Sequence, residues 1–268
     1  MKVAVCGIAG EGTREGNQMV LAASEALKKR KVLVYLSYVA GDDGELSGRL
    51  RKNSEYFDVK TARELNLNVL NKGGRVSNAM MSGLRRCISH ALANGAEAVI
   101  YTELDKPEFC RDDLDSIIQP LFSGNADITI AQRSDAGWKK FPLAQRLIEG
   151  ISNRELTRSA GMENHGTVDF LYGPKGFTLN TVGLFNTRTE NDWATITYPV
   201  VAGARAGYRV LPVTVPGFPQ EGYLDKYPFP GNNIVGIPGT NFPGQLLWRV
   251  LQCKPNFAAV RHAEEMYP

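Results

Sequence analysis

The sequence predicts an α/β protein with a mostly parallel, Rossmann-like sheet flanked by helices. Short runs rich in β-branched and aromatic residues alternate with helical segments over residues 1–131. One run, AEAVIYT at 96–102, is apolar almost throughout, as expected of a strand with helices on both faces of its sheet. The chain has 268 residues and is 43% hydrophobic, which suffices for one compact core.

The elements of the first half follow from their residue spacing and their stop signals. The predicted strands lie at 2–8, 32–39, 96–102 and 127–131. The predicted helices lie at 17–30, between Val76 and Leu92, and between Asp112 and Leu121. Gly95 and Gly124 end the second and third of these helices.

The second half is less regular. Leu143, Leu147 and Ile151 recur at four-residue steps and predict a helix within 141–161, whereas DFLYGPKGF at 169–177 predicts a turn. A helical segment at 193–206 is expected to hold Pro199 in its first turn. The predicted strand YRVLPVTV follows at 208–215.

The segment 216–244 is rich in Pro, Gly and aromatic residues and predicts an irregular, lid-like loop facing a ligand. We interpret residues 1–268 as a single domain. Its regular half is 1–131, and its less regular half is 132–268, which includes that loop.

The composition of the chain argues against several classes of protein and of binding partner. The net charge of +3 comes without a Lys/Arg block, so nucleic acid is not an expected partner. The four cysteines lack CxxC spacing, which argues against a disulfide framework or a thiolate zinc site. No apolar run has the length of a transmembrane segment and no signal peptide is recognisable, so we expect a cytoplasmic protein. A homodimer is compatible with this composition.

Two carboxylates follow the most apolar strand. Glu103 and Asp105 are separated by one leucine, and residues two apart on extended chain point the same way. Ligands of open parallel sheets bind beyond the carboxyl ends of the strands, where this pair is predicted to lie. The pair is suited to hold Mg²⁺ or Mn²⁺ through oxygen ligands, although acidic residues that merely solvate a turn have the same spacing.

The surrounding motifs resemble those of GT-A glycosyltransferases, especially the family 2 type. NVLNKGGRVSNAMMSGLRRCISHALANGAEAVIYTELDKPEF at 68–109 has that family's order of loop, helix and strand ending in D-x-D. ADITIAQRS, DFLYGPKGF and NDWATITYPVVAGARAGYRVLPVTV follow in register, so the resemblance covers roughly 1–215. This sequence departs from the family in having Glu103 in place of the first Asp, and GIAGEGTREGN in place of the opening segment with Pro and Tyr.

The resemblance implies that residues 1–131 form a nucleotide-binding half and that residues 132–268, with the lid-like loop 216–244, form an acceptor half. It also implies roles for particular residues on the donor side. Asp105 would bind the metal that bridges the donor diphosphate, and Glu103 would support it or contact the ribose. The remaining donor-side candidates are Glu11, Asp42 and Asp43 for the base, Lys72 and Arg75 in the loop NKGGR for the diphosphate, and Arg133 for phosphate or acceptor. Each has an ordinary structural alternative, such as a polar turn or a surface ion pair.

On the acceptor side, the resemblance makes Asp192 the candidate general base and Trp193 the residue that stacks on sugar. A helix N-cap beside a buried Trp is the alternative for this pair. Gly176 lies in the segment that corresponds to the family's acceptor-side turn. Retaining relatives that act on phosphoglycerate place their metal with the help of a late His, which makes His262 a candidate ligand.

These observations predict a metal-assisted glycosyltransferase that moves a sugar from a nucleotide-diphosphate sugar to a soluble small-molecule or glycan acceptor. One alternative is a sugar nucleotidylyltransferase, because AGEGTR at 9–14 is similar to the GxGTR loop of those enzymes, but the expected Pro-Lys pair does not follow. The other alternative is a catalytically degenerate protein that binds a sugar nucleotide without turnover.

Overall fold

The structure of the chain is a computed structural model. It describes residues 2–10, 14–30, 32–40, 45–61, 72–141, 143–187, 190, 192–216 and 242–267.

Within the described residues, seven strands form one sheet in the order β3-β2-β1-β4-β6-β5-β7. The strands are β1 (Val3–Gly10), β2 (Leu33–Ala40), β3 (Tyr56–Thr61), β4 (Ala98–Glu103), β5 (Ile128–Arg133), β6 (Lys175–Thr178) and β7 (Val210–Val215). β6 pairs antiparallel with both β4 and β5, and the other strand pairs are parallel. The carboxyl ends of β1, β2, β3, β4, β5 and β7 therefore share one edge of the sheet.

Helices cover both faces of the sheet. They are α1 (Arg14–Lys29), α2 (Glu45–Lys52), α3 (Lys72–Ala93), α4 (Leu114–Phe122), α5 (Asp135–Lys139), α6 (Leu143–Ser159), α7 (Leu179–Val182), α8 (Tyr198–Arg205) and α9 (Phe242–Met266). A π-helical turn, Phe109–Asp113, precedes α4, and a 3-10 turn, Trp193–Ile196, precedes α8. None of the described helices combines the length and the hydropathy needed to cross a membrane.

The central strand β4 shows why its sequence is apolar on both sides. Val99 and Tyr101 belong to the core on the side of α3 and α8, whereas Ala98 and Ile100 belong to the core on the side of α1 and α4. All four side chains are buried. The predicted fold class is confirmed, and the strands and helices predicted up to residue 131 are all present.

Two elements that were not predicted, α2 and β3, lie between the predicted strand at 32–39 and the next helix. β3 is an edge strand of the sheet, and its residues Tyr56, Phe57 and Val59 are only half-buried, unlike those of the central strands. Edge strands contact fewer helices, so their sequence signal is weaker.

The segment predicted as a turn, 169–177, contains strand β6 at its end. A Cβ atom on Gly176 would lie 2.4 Å from Thr129 Oγ1 and 2.8 Å from Leu121 Cδ1. Glycine is therefore required for close packing inside the sheet and does not mark a turn at this position. The turn prediction is wrong for residues 175–177, which belong to β6, because the strands that pair with this segment are distant in sequence.

Helix α6 is present as predicted, but the apolar stripe that predicted it faces solvent. Leu143, Leu147 and Ile151 are 53%, 47% and 52% exposed. The buried face is instead largely polar, and its buried polar residues are Gln145, Glu149, Ser152, Asn153, Thr157 and Ser159. Helical periodicity identified the helix correctly but not the face that it buries.

Two boundaries also differ from expectation. Lys72 and Arg75, predicted in a loop, lie in the first turn of α3, because the helix begins at Lys72, four residues before the first apolar residue of the predicted stripe, Val76. Of the predicted loop 216–244, residues 217–241 lie outside the described residues, and α9 begins at Phe242.

Candidate active site

The acid pair Glu103 and Asp105 lies at the shared carboxyl edge of the sheet. Glu103 is the last residue of β4, and Asp105 lies in the turn that follows. Leu104 between them is buried, and its N–H donates to the Ile8 carbonyl at 3.0 Å. Anchoring Leu104 in this way leaves the two flanking carboxylates on the same, outer side of the chain.

Both carboxylates converge on one ammonium group. Lys106 Nζ donates to Asp105 Oδ1 at 2.6 Å and also to Glu103 Oε2. The Lys106 side chain is only 12% exposed. Burial alone would lower the pKa of Lys106, but Asp105 and Glu103 outweigh it and raise that pKa above its ordinary value, so the lysine stays charged.

A second layer of residues positions Glu103. The Tyr101 hydroxyl donates to Glu103 Oε1 at 3.2 Å, and burial together with the Glu103 charge raises the pKa of Tyr101. Gly173 has φ +116°, and a Cβ there would lie 3.1 Å from Glu103 Oε2. Glycine is thus needed at 173 both for its backbone conformation and for the close approach of the carboxylate.

A second lysine lies beneath the acid pair. Lys175 stands opposite Tyr101 in the antiparallel β4–β6 pair and is fully buried. Its Nζ donates to the Gly173 carbonyl at 2.8 Å. Burial lowers the pKa of Lys175 to about 8, against the opposing effects of Glu103 and Asp169.

Arg133, at the carboxyl end of β5, is the centre of a buried ion cluster. Its Nη2 donates to Asp169 Oδ1 and to Glu149 Oε2, both at 2.7 Å. The guanidinium carbon lies 4.2 Å from the Trp138 ring centroid and 5.4 Å from that of Tyr172. Burial opposes the charge, but the two carboxylates raise the pKa of Arg133 further.

In this structure Arg133 is paired with protein carboxylates, and its role towards phosphate or acceptor remains a prediction. Its side chain is 1% exposed and is held by protein carboxylates, so contact with a phosphate or an acceptor would require these ion pairs to open. The strong charge-assisted hydrogen bonds assign Arg133 to holding Asp169 and helix α6 against the sheet. Tyr172 joins this cluster to the acid pair, since Lys106 Nζ lies 5.8 Å from its ring centroid.

Several predicted residues lie outside the described part of the chain. Glu11, Asp42 and Asp43 are among them, although the strands that they follow, β1 and β2, end at the same edge as β4. The backbone of Lys72 and Arg75 is described, but their side chains are not. The donor-side roles of these five residues remain predictions.

Asp192 caps the 3-10 turn Trp193–Ile196. Its side chain accepts a hydrogen bond from the Ala194 N–H at 2.9 Å, the geometry of the N-cap alternative. Trp193 is partly buried and packs against the core on the α3 side of the sheet. The general-base and stacking roles of these two residues remain predictions, as does the acceptor role of Gly176, which the structure places inside β6.

The structure does not bring His262 to the acid pair. Among the described residues, no three His, Cys, Asp or Glu side chains are grouped so as to hold a metal ion. The His262 ring packs instead near Tyr198, with 5.4 Å between ring centroids. The three-residue ligand set that the sequence suggested is therefore not formed in this structure, and a ligand role for His262 remains a prediction.

Four charged residues in and around the site were not predicted from the sequence. Lys106 carried a signal, because it directly follows the acid pair in ELDK. Lys175, Glu149 and Asp169 carried none, since they meet the site only through the β4–β6 pairing and the docking of α6.

The site's donor atoms fit a cation. Two carboxylates direct oxygens at one point, and a positive group of the chain itself, the Lys106 ammonium, occupies that point. Carboxylate oxygens are the ligands that Mg²⁺ and Mn²⁺ prefer. Glu103 and Asp105 would hold such an ion in place of the ammonium.

No family model matches this sequence, and no curated protein has a sequence significantly similar to it. Solved structures do share its fold, among them glucosyl-3-phosphoglycerate synthase from Mycobacterium tuberculosis. The complex of that enzyme with Mn²⁺, uridine diphosphate and phosphoglyceric acid aligns with a TM-score of 0.50 and 10% identity, over 92% of this chain and 78% of the enzyme.

Two further structures of the same M. tuberculosis enzyme agree. The complex with phosphoglyceric acid has a TM-score of 0.51 and 11% identity, over 92% of this chain and 79% of the enzyme. Another crystal structure has a TM-score of 0.50 and 13% identity, over 92% and 80% of the respective chains. The chain therefore has a GT-A-type fold, as the motif resemblance implied.

Proposed function

We propose that the chain is a glycosyltransferase that moves a sugar from a nucleotide-diphosphate sugar to a soluble acceptor with the assistance of a divalent metal. The observation that carries the proposal is the convergence of Glu103 and Asp105 on one cation position at the carboxyl end of β4. Open α/β sheets bind ligands at this edge. The GT-A-type fold supports the reaction class, since the M. tuberculosis enzyme with this fold was solved with Mn²⁺ and uridine diphosphate.

The proposed chemistry requires stabilisation of a departing nucleoside diphosphate. A Mg²⁺ or Mn²⁺ ion held by Glu103 and Asp105 would neutralise charge on that leaving group. Tyr101 and Gly173 fix the orientation of Glu103, and the buried Arg133 cluster holds the segment that carries Gly173. These contacts preorganise the carboxylates that would hold the metal ion, and the ion would in turn bind the diphosphate.

A carboxylate base is needed if the anomeric centre inverts. We propose Asp192 for this role, with Trp193 stacking on sugar. The proposal predicts that Asp192→Asn lowers turnover while retaining the cap, because Asn is an equally good N-cap residue. Unimpaired turnover by Asp192→Asn would refute the assignment.

The decisive experiment is a thermal-shift panel of UDP-, GDP- and dTDP-sugars, each with and without Mn²⁺. A ligand that binds only the native state raises its melting temperature, so one of these donors should raise it further when Mn²⁺ is present. Asp105→Ala should remove the metal-dependent part of that shift, whereas Asp112→Ala, at an exposed carboxylate, should not.

Two outcomes would refute the proposal. If no sugar nucleotide shifts the transition, the transferase function fails. If a donor binds but no nucleoside diphosphate is released with any acceptor tested, including phosphoglycerate, the chain is a binding protein without turnover.

A further inference from the structure

Lys106 holds the position that a divalent metal would occupy. We propose that Lys106 is a resident counter-cation of the acid pair, which a divalent metal must displace, and that the displaced ammonium then contacts the donor diphosphate. The second half of this inference rests on the proposed function. The first half concerns only the protein and a metal ion.

The contacts support direct competition. Lys106 Nζ donates a hydrogen bond to one oxygen of each carboxylate. These oxygens are Asp105 Oδ1, at 2.6 Å, and Glu103 Oε2. A metal ion bound by both carboxylates would stand at the same convergence point. The ammonium and the metal ion are both positive, and like charges at contact in a largely buried site repel strongly.

The displaced ammonium has another place to lie. Lys106 Nζ is already 5.8 Å from the Tyr172 ring centroid, so rotation of its flexible stem over that ring retains a favourable cation–π contact. The backbone of Lys106 is adjacent to Asp105, and the ammonium therefore remains within reach of a ligand bound to the metal.

The charges make metal and diphosphate binding cooperative. Glu103, Asp105 and Lys106 together carry one negative charge, which favours a cation over an anion. With a divalent metal added, the same three residues and the ion carry one positive charge, which favours a diphosphate. Lys106 therefore lowers the affinity for the metal alone and raises it when the diphosphate is present.

The test is a titration of the purified full chain with Mn²⁺, with free Mn²⁺ measured by electron paramagnetic resonance. Lys106→Met removes the ammonium, keeps most of the stem, and should bind Mn²⁺ about tenfold more tightly, since two charge-assisted hydrogen bonds no longer compete. Uridine diphosphate should tighten Mn²⁺ binding to the unaltered protein and tighten it much less in Lys106→Met. Lys106→Gln is a second uncharged variant, and circular dichroism checks that both fold.

Lys175→Met is the matched control, because Lys175 is a nearby buried lysine whose Nζ is bonded to the Gly173 carbonyl and not to the acid pair. A gain in Mn²⁺ affinity that is confined to the two Lys106 variants supports displacement of the ammonium by the metal. Equal or weaker Mn²⁺ binding by both Lys106 variants, or an equal gain in Lys175→Met, would overturn it. If uridine diphosphate does not bind at all, the proposed function and the phosphate contact both fail, whereas the comparison of Mn²⁺ affinities still decides displacement.

Discussion

The fully buried Lys175 makes the stability of the protein depend on pH in a calculable way. Its pKa is lowered from the ordinary 10.5 to about 8 in the folded chain. Between these values the unfolded chain binds a proton that the folded chain does not, so the free energy of unfolding rises with pH. The penalty for Lys175 is absent above the unfolded pKa and is fully present below the folded pKa.

The perturbation is Lys175→Met, which removes the titrating group and keeps a side chain of similar length. One pKa unit corresponds to about 1.4 kcal/mol, so the penalty in the unaltered protein is about 3 kcal/mol at pH 8 and about 1.5 kcal/mol at pH 9.5. The unaltered protein should therefore gain about 1.5 kcal/mol relative to Lys175→Met across this interval. In the variant the Gly173 carbonyl loses its hydrogen-bond donor at every pH. This loss lowers the stability of the variant by the same amount at pH 8 and pH 9.5 and does not affect the comparison between them.

Urea denaturation at pH 8 and pH 9.5 measures the effect as a change in the stability difference between the two proteins, with equal m-values confirming two-state unfolding. Lys139→Met, at an exposed lysine, is the control and should show no pH-dependent difference. Parallel pH profiles for the unaltered protein and Lys175→Met would show that the buried amine does not titrate in this range and would refute the reasoning.

Three further changes test the packing around the site. Gly176→Ala should lower the free energy of unfolding by about 1–3 kcal/mol through overpacking. Gly48→Ala should instead raise it by about 0.5–1 kcal/mol, because a Cβ at this helical position meets nothing within 4 Å. Urea denaturation measures both changes. Arg133→Met should cost about 3–5 kcal/mol, because it leaves two buried carboxylates without their cation, and a loss below 1 kcal/mol would contradict the cluster's structural role. Asp192→Ala should lower stability by about 1 kcal/mol through loss of the cap while Asp192→Asn should not, and equal thermal stability of the two variants would contradict the capping geometry.

Most strands and helices of the fold could be predicted from local sequence patterns. The unbroken apolar run of β4 reflects burial on both faces, and the spacing from Val76 to Leu92 reflects one face of α3 packed on β1 and β2. β6 was not predicted, because its pairing with β4 and β5 joins residues about 45 to 80 positions apart, and because Gly176 and the preceding Pro174 resemble turn residues.

The candidate site divides in the same way. Glu103 and Asp105 were identifiable from sequence, because a strand followed by two spaced carboxylates is a local pattern whose position at the sheet edge follows from the parallel topology. Their cationic partners were not identified, because the position of a side chain in a buried ion cluster depends on how distant segments dock. Arg133 shows this most clearly. Its place at the end of β5 suggested a ligand contact, but its buried position depends on Asp169 and Glu149, which lie on segments that dock from elsewhere in the chain.

By itself, then, the sequence determined the α/β alternation, the central strand and the acid pair that follows it, since each depends on neighbours within a few residues. Only the tertiary structure decided which face of α6 is buried, where β6 inserts and which charge neutralises the pair. The physical reason is that the spacing of apolar residues shows that a helix has two different faces but not which of them is buried. In α6 the buried Arg133 guanidinium decides this, because Glu149 pairs with it and is therefore buried, which leaves Leu147 exposed.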